Sequence, residues 1–244
     1  MQKTVVLAKI PVALEFPPEM GSAITEVLSV EYEPGYFGEQ LTILDIGANV
    51  GSFALWANMR WPHSKIHAYE PCPETFQMLI ENTRGLSNVR CQNFAVYPSH
   101  RAQEPFYREY PGDGEAGLAD CMVKTFEVLP NDKICFVSVI KPSDLPNADI
   151  IKIDVEGAET DILKCMDLGE VSLILLEYQF LDNKTAIKET LKADFALEYE
   201  DAFEWRAILP NSKYRKDLEG DYYGRLFFVN HRLNQFGKLV KLRS

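Results

Sequence analysis

The chain has 244 residues, 46% of them hydrophobic and 25% charged, and a formal net charge of −11. Such a composition suits a globular domain with a sizeable core, and the acidic balance speaks against a partner recognised through its phosphate backbone, so no nucleic acid is expected. No apolar stretch reaches the ~20 residues that span a bilayer, and five scattered cysteines without a Cys-x-x-Cys pair argue against a structural zinc or a disulfide framework and for a reduced, cytoplasmic setting.

Residues 1–40 read as an N-terminal cap segment, in which Pro11, Pro17, Pro18 and Pro34 surround one helical stretch at 22–30. Pro11 and Glu15 cut the apolar run at 5–8 short of a signal h-region. The main domain is expected over 41–230. It opens on an apolar strand (Ile43, Leu44, Ile46) that breaks into Gly47, Asn49 and Gly51 before a helix at 52–59. A strand turning through glycines onto a helix N-terminus lets a ligand approach bare backbone N–H groups. A strand at 65–69, a helix at 73–84 and a strand at 89–94 follow by periodicity.

The stretch 98–146 breaks the rhythm with Pro98, Pro105, Pro111, Gly112, Gly114 and Gly117, then a β-rich run at 134–140. It reads as an excursion with an embedded hairpin or edge strand, because so long a structureless loop is unusual in a compact domain. Alternation resumes with a strand at 150–153, a helix at 158–166, the most apolar strand at 171–176 and a helix at 184–192. Segments 196–200 and 225–229 suggest a terminal antiparallel pair, and 231–244, with Arg232, Lys238, Lys241 and Arg243, a solvated tail. Strand–helix alternation predicts an α/β fold, a mostly parallel sheet with helices on both faces. Its ligand belongs beyond the carboxyl ends of the strands, where strand order reverses.

The spacing Gly47-x-x-x-Gly51 carries Asn49 where a dinucleotide fingerprint has glycine, which disfavours a pyrophosphate-bridged cofactor. Asp45, just before the turn, would repel a pyrophosphate but suits a ligand bearing an ammonium and a sulfonium. Glu70 ends the second strand, where an acidic side chain accepts both hydroxyls of a ribose. Together these features favour S-adenosylmethionine.

Three blocks then stand together: Asp45-Ile-Gly-Ala-Asn-Val-Gly51, Tyr69-Glu70-Pro71 and Lys152-Ile-Asp-Val-Glu-Gly-Ala-Glu159. They resemble the signature blocks of the FkbM-type methyltransferases, class I S-adenosylmethionine-dependent enzymes, many of which O-methylate sugars or natural products. The resemblance covers roughly residues 40–180. It implies the Rossmann-like class I sheet of seven mostly parallel strands with one antiparallel strand. It also implies that Gly47, Ala48, Asn49 and Gly51 hold the methionine moiety, that Glu70 beside Pro71 holds the ribose, and that Asn93 and Ala95 lie along the adenine.

Methyl transfer displaces a sulfonium, so the protein must align nucleophile and leaving group, and an aliphatic hydroxyl must also lose its proton. Asp154 at a strand end, Glu156 two residues on and Glu177 after the strand at 171–176 are the candidate catalytic residues. A helix starting near Gly157 would aim its N-terminal dipole at the first two, and Glu159 reads as a solvated or capping-box glutamate. Asp154 and Glu177 could instead hold Mg²⁺, although the sequence offers no third ligand. His100 reads as a surface residue, and Gln179 stands where the family leads one to expect a histidine. The acceptor, a small molecule or saccharide, would lie between the cap (Tyr36, Phe37) and the excursion (Phe106, Tyr107, Tyr110). A protein or RNA acceptor, and a catalytically silent cofactor-binding homologue, are the competing readings.

Overall fold

The computed structural model describes strands at 2–7 and 10–15 and residues 40–110, 113, 116–123, 129–200, 203–204 and 222–231. The helix expected at 22–30, Tyr36, Phe37 and the tail from Arg232 onward lie outside the described residues. Within the cap segment, β1 (Gln2–Leu7) and β2 (Ile10–Glu15) pair as an antiparallel hairpin that the scattered prolines did not suggest.

Seven strands build the main sheet: β3 (Thr42–Ile46), β4 (Lys65–Tyr69), β5 (Val89–Gln92), β10 (Ile150–Ile153), β11 (Leu173–Tyr178), β12 (Phe195–Glu200) and β14 (Tyr222–Asn230). Their order is β12-β14-β11-β10-β3-β4-β5, and the short β13 (Phe203–Glu204) adds to β14. Strands β11, β10, β3, β4 and β5 run parallel, and β14 runs antiparallel between β11 and β12. The chain leaves β3 toward β4 and returns to its other side at β10. The reversal of strand order therefore lies between the carboxyl ends of β3 and β10, where open α/β sheets bind ligands.

Burial on both faces explains the continuous apolar strands. Ile43 packs under helix α1 (Ser52–Arg60) with Phe53, Trp56 and Leu79, whereas Leu44 and Ile46 face the opposite core with Ile151, Ile153, Ile162 and Leu176. Helix α2 (Pro73–Asn82) starts on Pro73, whose missing N–H is no loss at a first helical position, and buries Thr75 and Leu79 one turn apart. Side chains alternate across a strand. Ile150 and Lys152 consequently share the α1 face with Ile43 and Asp45, and Lys152 is registered directly against Asp45.

The excursion pairs with a short strand that precedes it to form a second sheet. Strands β6 (Ala95–Val96), β7 (Gln103–Tyr107), β8 (Gly117–Leu118) and β9 (Ile134–Ile140) lie in the order β6-β9-β7-β8, with a short helix α3 (Ala119–Met122) after β8. Helix α4 covers only Glu159–Leu163, starting later than the sequence suggests, and α5 spans Leu181–Leu191. No helix among the described residues is long and apolar enough to cross a membrane.

Candidate active site

An open cleft sits at the β3–β10 reversal. Ile46, Gly47 and Asn49 form one wall, Glu70 and Pro71 the next, and Phe94, Ala95 and Val96 a third; Phe106, Asp113, Ala116 and Leu118 from the excursion face Asp154, Val155, Glu156 and Ala158. Of the residues read from sequence as cofactor-binding, Gly47, Asn49, Glu70, Pro71 and Ala95 line it. Asp45, Ala48, Gly51 and Asn93 stand behind it.

Each displaced residue has a physical reason. Asp45 lies inside β3, so its carboxylate turns toward α1 and β10, where it is fully buried 3.6 Å from the Lys152 ammonium. It thus faces a lysine rather than a ligand's cation, and burial pushes its pKa up to about 6. Ala48 packs into the core. Gly51, at φ 94, faces α2: a Cβ there would stand 2.8 Å from Leu79 Cδ1. Asn93 spends its amide on the backbone, donating to the Glu70 and Pro71 carbonyls at 2.8 and 2.9 Å. Phe94 takes the wall position beside it.

Glu70 is placed differently from Asp45 because it follows the last residue of its strand and can turn into the turn region. Its carboxylate accepts from the Asn49 N–H at 2.9 Å and the Cys72 N–H at 2.8 Å. Burial nevertheless raises its pKa to about 7. Both acids hold protons in the folded chain above the pH at which an unfolded carboxyl loses them. The stability they contribute is therefore complete below about pH 4 and is lost as pH rises toward about 7.

The three candidate catalytic carboxylates converge: Asp154, Glu156 and Glu177 each place an oxygen within 4.8 Å of the others. Glu156 is the third acidic group that the sequence did not supply for the Asp154–Glu177 pair. It adopts φ 58, rare for a residue with a long side chain, next to Gly117, where a Cβ would stand 2.9 Å from the Glu156 Cβ. The expected helix dipole does not account for these groups, because α4 begins only at Glu159. Glu159 itself is not solvated. It is fully buried, and its carboxylate accepts from the Gly157 N–H at 2.9 Å and the Val155 N–H at 3.3 Å. Its other oxygen accepts from Asn183 of α5, so the glutamate braces the loop that carries Asp154 and Glu156.

Lys152 is a participant that the sequence reading missed. Its ammonium donates to the Gly47 carbonyl at 2.6 Å and lies 3.3 Å from Asp154 Oδ2. Burial alone would lower its pKa, but Asp154, Asp45 and Glu177 outweigh that and hold it above the ordinary lysine value. The available signal was a lysine within the apolar strand Ile150-Ile151-Lys152-Ile153, which needs carboxylates from its neighbours.

The strand order, the glycine turn and the acid beyond β4 define the class of S-adenosylmethionine-dependent methyltransferases. A solved structure of TYW2 from P. horikoshii in complex with MeSAdo shares the fold, with a TM-score of 0.51 at 12% identity over 93% of this chain and 70% of that one. The methyltransferase FkbM domain model matches residues 45–216, and the chain belongs to that family. It is 28% identical over 184 residues to Methyltransferase 1 of Beauveria bassiana, covering 68% of this chain and 71% of that protein. It is 25% identical over 166 residues to the hexuronic acid methyltransferase AglP of Haloferax volcanii, covering 66% and 65%.

Proposed function

We propose that the chain O-methylates a hydroxyl of a saccharide or natural-product acceptor, with Asp154 taking the hydroxyl proton. The observation that carries this is the convergence of Asp154, Glu156 and Glu177 beside the cleft. A general base must lie within hydrogen-bond reach of the proton it removes, and Asp154 and Glu156 line the cleft that an acceptor hydroxyl would enter. AglP, whose name specifies a hexuronic acid, supports a sugar-like acceptor.

The donor's fit rests on the chemistry of the walls: a buried carboxylate for a diol, an apolar edge for a purine and a glycine turn for the methionine end. S-adenosylmethionine supplies the electrophilic methyl when bound. Glu70 would accept the ribose hydroxyls, Phe94, Ala95 and Pro71 would flank the adenine, and Gly47 and Asn49 would hold the methionine moiety. Asp154, at the end of β10, would take the proton of the reacting hydroxyl, and Glu156 would accept a second acceptor hydroxyl to orient the first. The excursion walls the acceptor with Phe106 and Leu118. Beyond the three carboxylates nothing among the described residues points to Mg²⁺, and they are assigned here to the acceptor.

The test is methyl transfer from labelled donor into a panel of saccharides and hydroxylated natural products, expected to persist after exhaustive chelation. Label appearing only in protein or RNA would overturn the acceptor class, and no calorimetric binding of donor or demethylated product would overturn the donor site.

Glu70 gives a further expected result. Ribose hydroxyls donate to the ionised carboxylate, so donor binding at pH 6 should release close to one proton, read by calorimetry in buffers of differing ionisation enthalpy. Affinity should rise with pH and level off above about 7. Glu70→Gln should abolish the proton release and weaken binding roughly 10- to 100-fold, the range for hydrogen bonds to a charged group.

A further inference from the structure

We infer that Lys152 is a positioning residue for methyl transfer, locking the Asp154 carboxylate in register with the Gly47 turn that carries the methionine end of the donor. The inference rests on the proposed role of Asp154 as base.

The contacts of the ammonium separate this role from that of a simple counter-ion. Lysine offers three N–H donors, and three acceptors surround this one at graded distances. The shortest contact, 2.6 Å, goes to the Gly47 carbonyl. Both carboxylates are ion-paired to it, Asp154 Oδ2 at 3.3 Å and Asp45 Oδ1 farther off at 3.6 Å. A lysine retained only to neutralise Asp45 would approach Asp45 most closely. Here the charge is displaced toward the carboxyl end of the strand, where the cleft begins.

The backbone on either side is already fixed. The Asp154 N–H donates to the Ile46 carbonyl at 3.0 Å, and Gly47 and Ala48 N–H groups both donate to the Tyr69 carbonyl. What remains undetermined is the rotamer of Asp154, whose side chain is 28% exposed at the cleft while that of Lys152 is only 7% exposed. One buried cation, hydrogen-bonded to the turn and ion-paired with the carboxylate, restricts that freedom. Misplacement of a reacting group by about 1 Å can cost on the order of 100-fold in rate. Arginine would not substitute, since its planar guanidinium has a different reach and donor geometry.

The test separates positioning from charge neutralisation. Lys152→Met is made in a D45N background, which removes the buried carboxylate that would otherwise be orphaned, and again in D45N/D154N. Against D45N, K152M should lower kcat about 30-fold, a loss larger than any accompanying change in donor affinity, while the melting temperature falls only by the few degrees that losing the bond to the Gly47 carbonyl costs. Against D45N/D154N, the same change should lower kcat by less than about threefold, because the group through which lysine acts is gone. If D45N/K152M does not fold, Lys152→Gln is compared in the same two backgrounds.

A kcat within threefold of the D45N parent would overturn the inference, as would a 30-fold loss that persists without Asp154. Full activity in D154N would instead bring down the assignment of the base and the inference with it. A D154N defect combined with an additive K152M effect would bring down the inference alone.

Discussion

Replacing Asp154 by asparagine is expected to lower kcat by about 100- to 1,000-fold, within the range that general acid–base groups contribute. The change is isosteric and leaves Lys152 bonded to the Gly47 carbonyl and paired with Asp45. The Asp154 N–H still donates to Ile46, so β10 keeps its register on β3. Donor affinity should therefore stay within about threefold in calorimetry, and the loss should fall on kcat rather than on the donor KM, the signature of an interaction made in the transition state. Retention of more than a third of the activity would move the base to Glu156 or Glu177, whose carboxylates share the cluster.

The largest effect on stability is expected at Gly47. Its φ of 78 is strained for any L side chain, and an added Cβ would stand 1.8 Å from the Asp154 carbonyl oxygen and 2.9 Å from its carbonyl carbon. No rotamer change relieves a clash with main chain, so β3 and β10 would have to separate at the cleft. The left-handed backbone costs about 1–2 kcal/mol and overpacking about 1–3 kcal/mol. Gly47→Ala should thus lose about 2–5 kcal/mol, a fall of roughly 4–20 °C in Tm for a chain of this size. Gly85 is the internal control: its φ is 89, but nothing lies within 4 Å of a Cβ there. Gly85→Ala should lose only the backbone part, and equal melting temperatures for the two variants would refute the steric argument.

The parallel strands were legible because burial on both faces demands unbroken apolar runs, as in Ile43-Leu44 and Ile150-Ile151. Strand pairing within the excursion was not: Ile134–Ile140 reads as a strand, but its partners, β6 and β7, are separated from it by more than twenty residues of chain. Position relative to a strand end decided the fate of the acids. Asp45, one residue inside β3, turns to the helix-covered face, whereas Glu70, one residue beyond β4, reaches the Asn49 N–H at the cleft. Glu159 changes from a surface cap to a buried brace because α4 starts at it rather than two residues earlier. The part played by Lys152 depends on cross-strand register with Asp45 and on the approach of the Gly47 carbonyl, neither of which a single sequence displays.

The separate little sheet β6-β9-β7-β8 has an implication for how such an enzyme changes its diet. Under the proposed assignment the donor sits on the ends of β3, β4 and β10, while Phe106, Asp113, Ala116 and Leu118 arrive from the excursion, whose strands pair with one another. On that assignment, exchanging the segment that follows β6 would alter the choice of acceptor while leaving Ala95 and the other residues proposed for the donor in place.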